Sequence, residues 1–132
     1  MKKMLAALLA ALMVLSLAAC GGSAKTYKIG ICQLVQHPAL DAATQGFKDV
    51  LTEKLGDAVK FDDQNASGDS ANCSTIVNGF ASDGDDLILA IATSPLQAAA
   101  AATSDLPVPG HAVPAPATAM ANPDWTAPPG TN

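Results

Sequence analysis

From Tyr27 onward the apolar positions change period in a regular order. "YKIGICQLV" carries Ile29, Ile31, Cys32, Leu34 and Val35 on both of its faces. Strands buried on both sides belong to parallel sheets covered by helices. After Pro38 the spacing lengthens: Leu40, Ala43, Phe47, Val50, Leu51 and Leu55 recur every three or four residues, one stripe of a helix. Pro38 suits the first helical turn, where its missing N–H costs nothing. Asp41 near the start and Lys48 and Lys54 later suit the helix dipole, and Gly56 is a stop signal. "AVKFDDQ" then reads as a second strand running into the polar loop "NASGD". A second helix carries Cys73, Ile76, Val77 and Phe80 on one side, and "SDGDD" turns the chain. "LILAIA" has the unbroken apolar run of a central strand. Ser94 and Pro95 read as an N-cap and N1 ahead of the alanine-rich "LQAAAAAT", and "SDLPV" can begin a fourth strand.

The predicted order is β-α-β-α-β-α-β with short connections. It implies an α/β fold, an open parallel sheet with helices on both faces and right-handed crossovers. From Pro107 the texture changes, because seven of the nine prolines fall in the last 27 residues. Prolines remove donors from any ladder, so residues 110–132 are expected to form a Pro/Ala-rich irregular tail. The α/β lobe is expected over 27–109, a core of about eighty residues.

The amino terminus has a different character. Lys2 and Lys3 precede an uncharged apolar stretch from Met4 to Ala19, the n-region and h-region of a signal peptide. It is short for a membrane span, which needs about 20 residues. It ends in Leu17-Ala18-Ala19-Cys20-Gly21-Gly22, which resembles the lipobox of bacterial lipoproteins. That resemblance implies a signal peptide over 1–20, lipidation of Cys20, a tether over 21–26, and a chain held outside the cytoplasmic membrane by its acyl chains.

Without residues 1–20, five lysines remain against twelve acidic residues, and the chain has no arginine. A nucleic-acid surface needs a cationic face for phosphates, so that class is excluded. Cys32 and Cys73 either pack as small buried thiols or pair as a disulfide in an oxidising compartment. Neither a Cys-x-x-Cys nor a His pair at ligand spacing is present, and Ser74 stands where a calcium loop starting at Asp63 needs its glutamate. No dinucleotide fingerprint, P-loop or nucleophile elbow appears, so no cofactor and no catalytic residue are assigned. A secreted enzyme using His37 with Asp41 is a competing reading, but fold alone does not license chemistry.

Geometry supplies the leading one. In open α/β sheets, ligands bind beyond the carboxyl ends of the strands, against helix N-termini. Three polar, nearly uncharged loops fall there: Val35 to Pro38, Gln64 to Gly68, and Ala92 to Pro95. Such loops suit a small ligand held by hydrogen bonds, with its carboxylate on helix amides. Ser67 and Ser94 are also read as helix caps.

The segments "KIGICQLVQHPALDAATQGFKDVL", "DDQNASGD" and "LILAIATSPLQAAAAATSDLPV" resemble the amino-terminal lobe of ABC-transporter substrate-binding lipoproteins. The resemblance is to the group that binds tryptophan or other aromatic amino acids. It implies one lobe of a type I periplasmic-binding fold, a second lobe that closes on the solute, and permease subunits as partners. It places Leu34, Gln36, His37 and Pro38 on the cleft wall, Asn65 facing the cleft, and Thr93, Ser94 and Gln97 near the ligand's charged end. Many relatives have an acidic residue where this chain has Gln36. Family members exceed twice this length, so the chain is expected to be a truncated amino-terminal lobe with impaired binding. A surface lipoprotein or ligand-sensing module without a transport role is the alternative.

Overall fold

In the computed structural model, residues 25–114 are described. The expected signal peptide, Cys20, most of the tether and the tail beyond residue 114 lie outside them. The elements follow as β1 (Tyr27–Gln33), α1 (Pro38–Leu55), a 3-10 turn (Gly56–Ala58), β2 (Val59–Asn65), α2 (Ser70–Ser82), β3 (Leu87–Ile91), α3 (Thr93–Ala102) and β4 (Gly110–His111). The four strands form one sheet in the order β2-β1-β3-β4, all parallel.

The chain runs from β1 outward to β2, then back across β1 to β3 and on to β4. Crossovers in parallel sheets are right-handed, so a reversal of direction transfers the helices to the other face. The packing agrees. Ile29, Ile31, Leu89 and Ile91 meet Leu40, Phe47, Leu51 and Leu55 of α1 in one core. Cys32 and Ile88 meet Cys73, Val77 and Phe80 of α2 and Ala99 of α3 in the other. Alternate residues of β1 and β3 thus feed opposite cores, which is why both strands read as continuous apolar runs.

Gly30 sits within β1 where a Cβ would lie 2.4 Å from ring atoms of Phe80. Only glycine lets that ring rest on the strand backbone. Gly56 ends α1 at φ 54°, a left-handed geometry that glycine adopts without steric cost. At the amino-terminal ends of the strands, Lys28 N–H donates to Asp86 Oδ2 at 3.0 Å and Lys25 pairs with Asp86 at 3.0 Å. The neighbouring Asp85 is buried, and its Oδ2 has no hydrogen-bond partner.

Three sequence expectations change. Val50 was expected on the apolar stripe of α1 but is 49% exposed. At 3.6 residues per turn it lies about 90° round the helix from the stripe's centre. Helix α3 begins at Thr93 with Ala92 in the cap position, so Ser94 is not its N-cap and Pro95 is not N1. Gly110 and His111 belong to the sheet, not to an irregular tail starting at residue 110. Pro107 and Pro109 still accept from Ile88 N–H and Ala90 N–H at 3.1 and 3.0 Å. Proline offers an acceptor without a donor, so the ladder there runs one way and the regular strand is short.

Candidate ligand-binding cleft

Because all the strands are parallel, the three polar loops emerge at one end of the sheet. Backbone hydrogen bonds join them: Leu34 N–H donates to Ile91 O at 3.2 Å, Ala66 N–H to Gln33 O at 2.9 Å, and Gly68 N–H to Leu34 O at 2.7 Å. Ser70 at the start of α2 and Ser94 in the first turn of α3 touch through their hydroxyls at 3.3 Å. Gln36, Asn65 and Ser94 therefore share one rim. It lies at the reversal of strand order between β1 and β3, where open α/β sheets leave a crevice.

The local chemistry of each loop explains its shape. His37 is the N-cap of α1, its Nδ1 accepting from Ala39 N–H at 3.2 Å, and Pro38 follows in the first turn. Accepting at Nδ1 places the proton of a neutral imidazole on Nε2. Asn65 Oδ1 accepts from Ser67 N–H at 2.8 Å, and Ser67 and Gly68 both take positive φ to finish the turn. The cap of α2 is Asp69, accepting from Ala71 N–H at 2.8 Å, so the expected capping role of Ser67 is not observed.

The third loop differs from the other two. Ala92 stands at φ 94°, ψ 172°, a region that is essentially glycine's and costs an alanine of order 1–3 kcal/mol. Its N–H donates to His111 O at 2.8 Å, and its carbonyl accepts from Leu96 N–H at 3.3 Å. Neighbouring structure thus holds the strained turn on both sides. No side chain caps α3. The opening amides of a helix lack intrahelical partners, and here they come with the positive end of the dipole.

Next to this rim, a groove of about 600 Å³ runs between α1 and β2. Gln36 and Asn65 line it together with Gln33, Val35, Asp41 and Ser67. Leu34, His37, Pro38, Thr93, Ser94 and Gln97 are outside that lining. The expected site residues thus fall into three groups on the same end of the sheet: Gln36 and Asn65 on the groove, Leu34, His37 and Pro38 in the loop that leads into α1, and Thr93, Ser94 and Gln97 in the first turns of α3.

Sequence reading missed Gln33. It is 7% exposed, and its amide is fully used: Nε2 donates to Val35 O at 2.9 Å and to Asp41 Oδ1 at 2.7 Å, while Oε1 accepts from Thr44 Oγ1 at 2.9 Å. One side chain thereby fixes the loop after β1 and the first turns of α1. Its signal was a long polar residue at an inward position in an otherwise apolar strand. Asp41 is engaged with Gln33, and His37 Nδ1 with Ala39, so neither contact pairs them as a catalytic dyad.

Comparison with known proteins gives the family. The tyrosine-binding protein of Clostridioides difficile (strain R20291) is 47% identical over 89 residues, covering 65% of this chain and 26% of that protein. The ligand-free, open structure of a substrate-binding protein with adhesive properties from Clostridium difficile superimposes with a TM-score of 0.68 at 45% identity. It covers 71% of this chain and 33% of the other. An ABC domain from Streptococcus pneumonia in complex with L-Trp gives a TM-score of 0.67 at 40% identity, over 72% of this chain and 33% of that one. This chain therefore spans about a quarter of the curated relative and a third of each solved chain. These relatives are solute-binding proteins, and their fold is the α/β architecture described above. The family model for ABC transporter substrate binding proteins matches residues 28–132, and the chain belongs to that family.

Proposed function

We propose that this chain is the amino-terminal lobe of an extracytoplasmic, lipid-anchored solute-binding component of an ABC importer. Its solute is an aromatic amino acid or a similar small zwitterion. The observation that carries this reading is the start of α3, uncapped by any side chain and opening on the rim shared by the other two loops. Helices α1 and α2 have side-chain caps in His37 and Asp69. A ligand carboxylate would complete α3 in the same way, with the Thr93 and Ser94 hydroxyls beside the amides and Gln97 one turn on. Leu34, Gln36, His37, Pro38 and Asn65 form the wall against the rest of the solute. The L-Trp complex and the tyrosine-binding relative supply the solute class.

Export and lipidation at Cys20 rest on the lipobox resemblance, with the lobe over 27–109 and permease subunits as partners. Binding pockets bury most of a ligand's surface, so one lobe with an open cleft binds weakly until a second lobe closes over it. The test is a titration of L-tyrosine and L-tryptophan into this lobe joined to a second one. At a hundred times the dissociation constant, stabilisation should approach about 2.7 kcal/mol. Absence of stabilisation by any amino acid refutes the reading. A second reading, a surface lipoprotein without transport, draws on the adhesive properties of the C. difficile relative. It predicts that loss of the cognate permease leaves the protein's surface function intact.

A further inference from the structure

Cys32 of β1 and Cys73 of α2 lie in the same core, each with 0% of its surface exposed. Both are free thiols in this structure, packed into the same small group of buried side chains, and Cys73 Sγ reaches Asp69 O at 3.5 Å. Cys32 precedes Gln33, the residue that fixes the first rim loop, and Cys73 is in the opening turn of α2, whose Ser70 touches Ser94. We propose that Cys32 and Cys73 form a disulfide that staples β1 to α2 directly beneath the cleft rim.

Two independent cysteines need not meet. A thiol packs adequately as a small apolar group anywhere in a core. Here both pack into one core from a strand and a helix, 41 residues apart in sequence. Two thiols in one small buried cluster are held close, the condition a disulfide sets through its short Cα separation. Burial pushes the Cys32 thiol up to about 12, so the folded lobe offers almost no thiolate for exchange. With both sulfurs fully buried the bond is shielded from exchange once made, which makes it structural rather than a reversible switch. The chemistry is thiol–disulfide exchange with a small or protein disulfide as oxidant. One cysteine thiolate displaces one sulfur of that disulfide, and the second cysteine displaces the other. One S–S bond forms in the chain, one breaks in the oxidant, and two thiols are released with the two protons.

The proposal draws on the export reading for its oxidant, so the experiment supplies one directly. The full chain is refolded in a glutathione redox buffer, denatured with iodoacetamide present and no reductant, and digested with trypsin. Because Lys60 is the last basic residue, cleavage places Cys32 in peptide 29–48 and Cys73 in peptide 61–132. The expected product is these two peptides linked, lighter than their sum by two hydrogen atoms and separated by reduction. Recovery of both peptides alkylated, or of either one linked to Cys20, overturns the proposal. The oxidised chain should also melt higher than the reduced chain, by on the order of 10 °C, and Cys73→Ala should abolish that difference. A Cys73→Ala melt that still responds to reductant likewise overturns it. These results bear on the cross-link alone, whereas amino-acid titration tests the solute-binding reading.

Discussion

Replacing Gln33 by leucine keeps the volume of a buried side chain and deletes three hydrogen bonds. Two of these, to Val35 O and from Thr44 Oγ1, join neutral groups and contribute about 1 kcal/mol each. The third goes to a carboxylate, Asp41 Oδ1, and bonds of that kind contribute about 1.5–3 kcal/mol. Val35 and Asp41 are exposed enough to recover water, which offsets part of the loss; Thr44 is only half-buried and recovers less. The net cost should be about 2–3 kcal/mol. Urea denaturation would read it as a midpoint lowered by about 1–2 M with an unchanged slope. A double-mutant cycle with Thr44→Val should give a coupling of about 1 kcal/mol, since the two side chains share a bond. A midpoint within about 0.3 M of the parent, or zero coupling, would mean that Gln33 does not hold α1 to the rim.

Gly30→Ala should destabilise by at least 1–3 kcal/mol in the same assay, because its Cβ would lie 2.4 Å from the Phe80 ring and 2.8 Å from Asp85 Oδ2; a neutral result would mean that Phe80 is not packed on β1. Ala92→Gly should raise stability by about 1 kcal/mol, relief of strain outweighing the greater freedom of unfolded glycine, and a loss of stability would refute the strained turn. Burial raises the pKa of Asp85 above the ordinary 3.8, opposed by Lys28 and reinforced by Asp62, Asp83 and Asp86. The folded state thus holds this proton more tightly than the unfolded state. The Asp85 contribution to stability should therefore grow as pH falls from neutral through its raised pKa, and level off below 3.8. Asp86 acts in the opposite sense: its bond from Lys28 N–H and its pairing with Lys25 lower its pKa, so its contribution is present above 3.8 and lost as pH falls through the lowered value. Comparing Tm against pH for the parent and Asp85→Asn isolates the first effect, and curves of identical shape would exclude it.

The order of elements was legible in the sequence because each depends on local periodicity. The short apolar runs in "YKIGICQLV" and "LILAIA", the three-and-four spacing after Pro38, and the glycine at 56 each constrain only a few neighbouring backbone angles. The α/β class followed from their alternation, and the shared rim from parallel strands and right-handed crossovers. The family segments were legible too, since they are continuous in sequence.

What tertiary structure alone decided depends on residues far apart. Ser94 has the composition of a cap, but the pull of His111 O on Ala92 N–H moves the start of α3 two residues earlier and leaves its first turn uncapped. The cluster of prolines from residue 107 argued for irregular chain over 110–132, yet donors from β3 need only the carbonyls that Pro107 and Pro109 keep, and Gly110 and His111 continue the sheet. Gln33 was one polar residue within the apolar run "YKIGICQLV" until α1 brought Asp41 and Thr44 to its amide. Whether Cys32 and Cys73 lie in one core was open until the crossover laid α2 over β1. Periodicity determines which residues face inward; only the packing of one element on another determines which inward-facing groups meet.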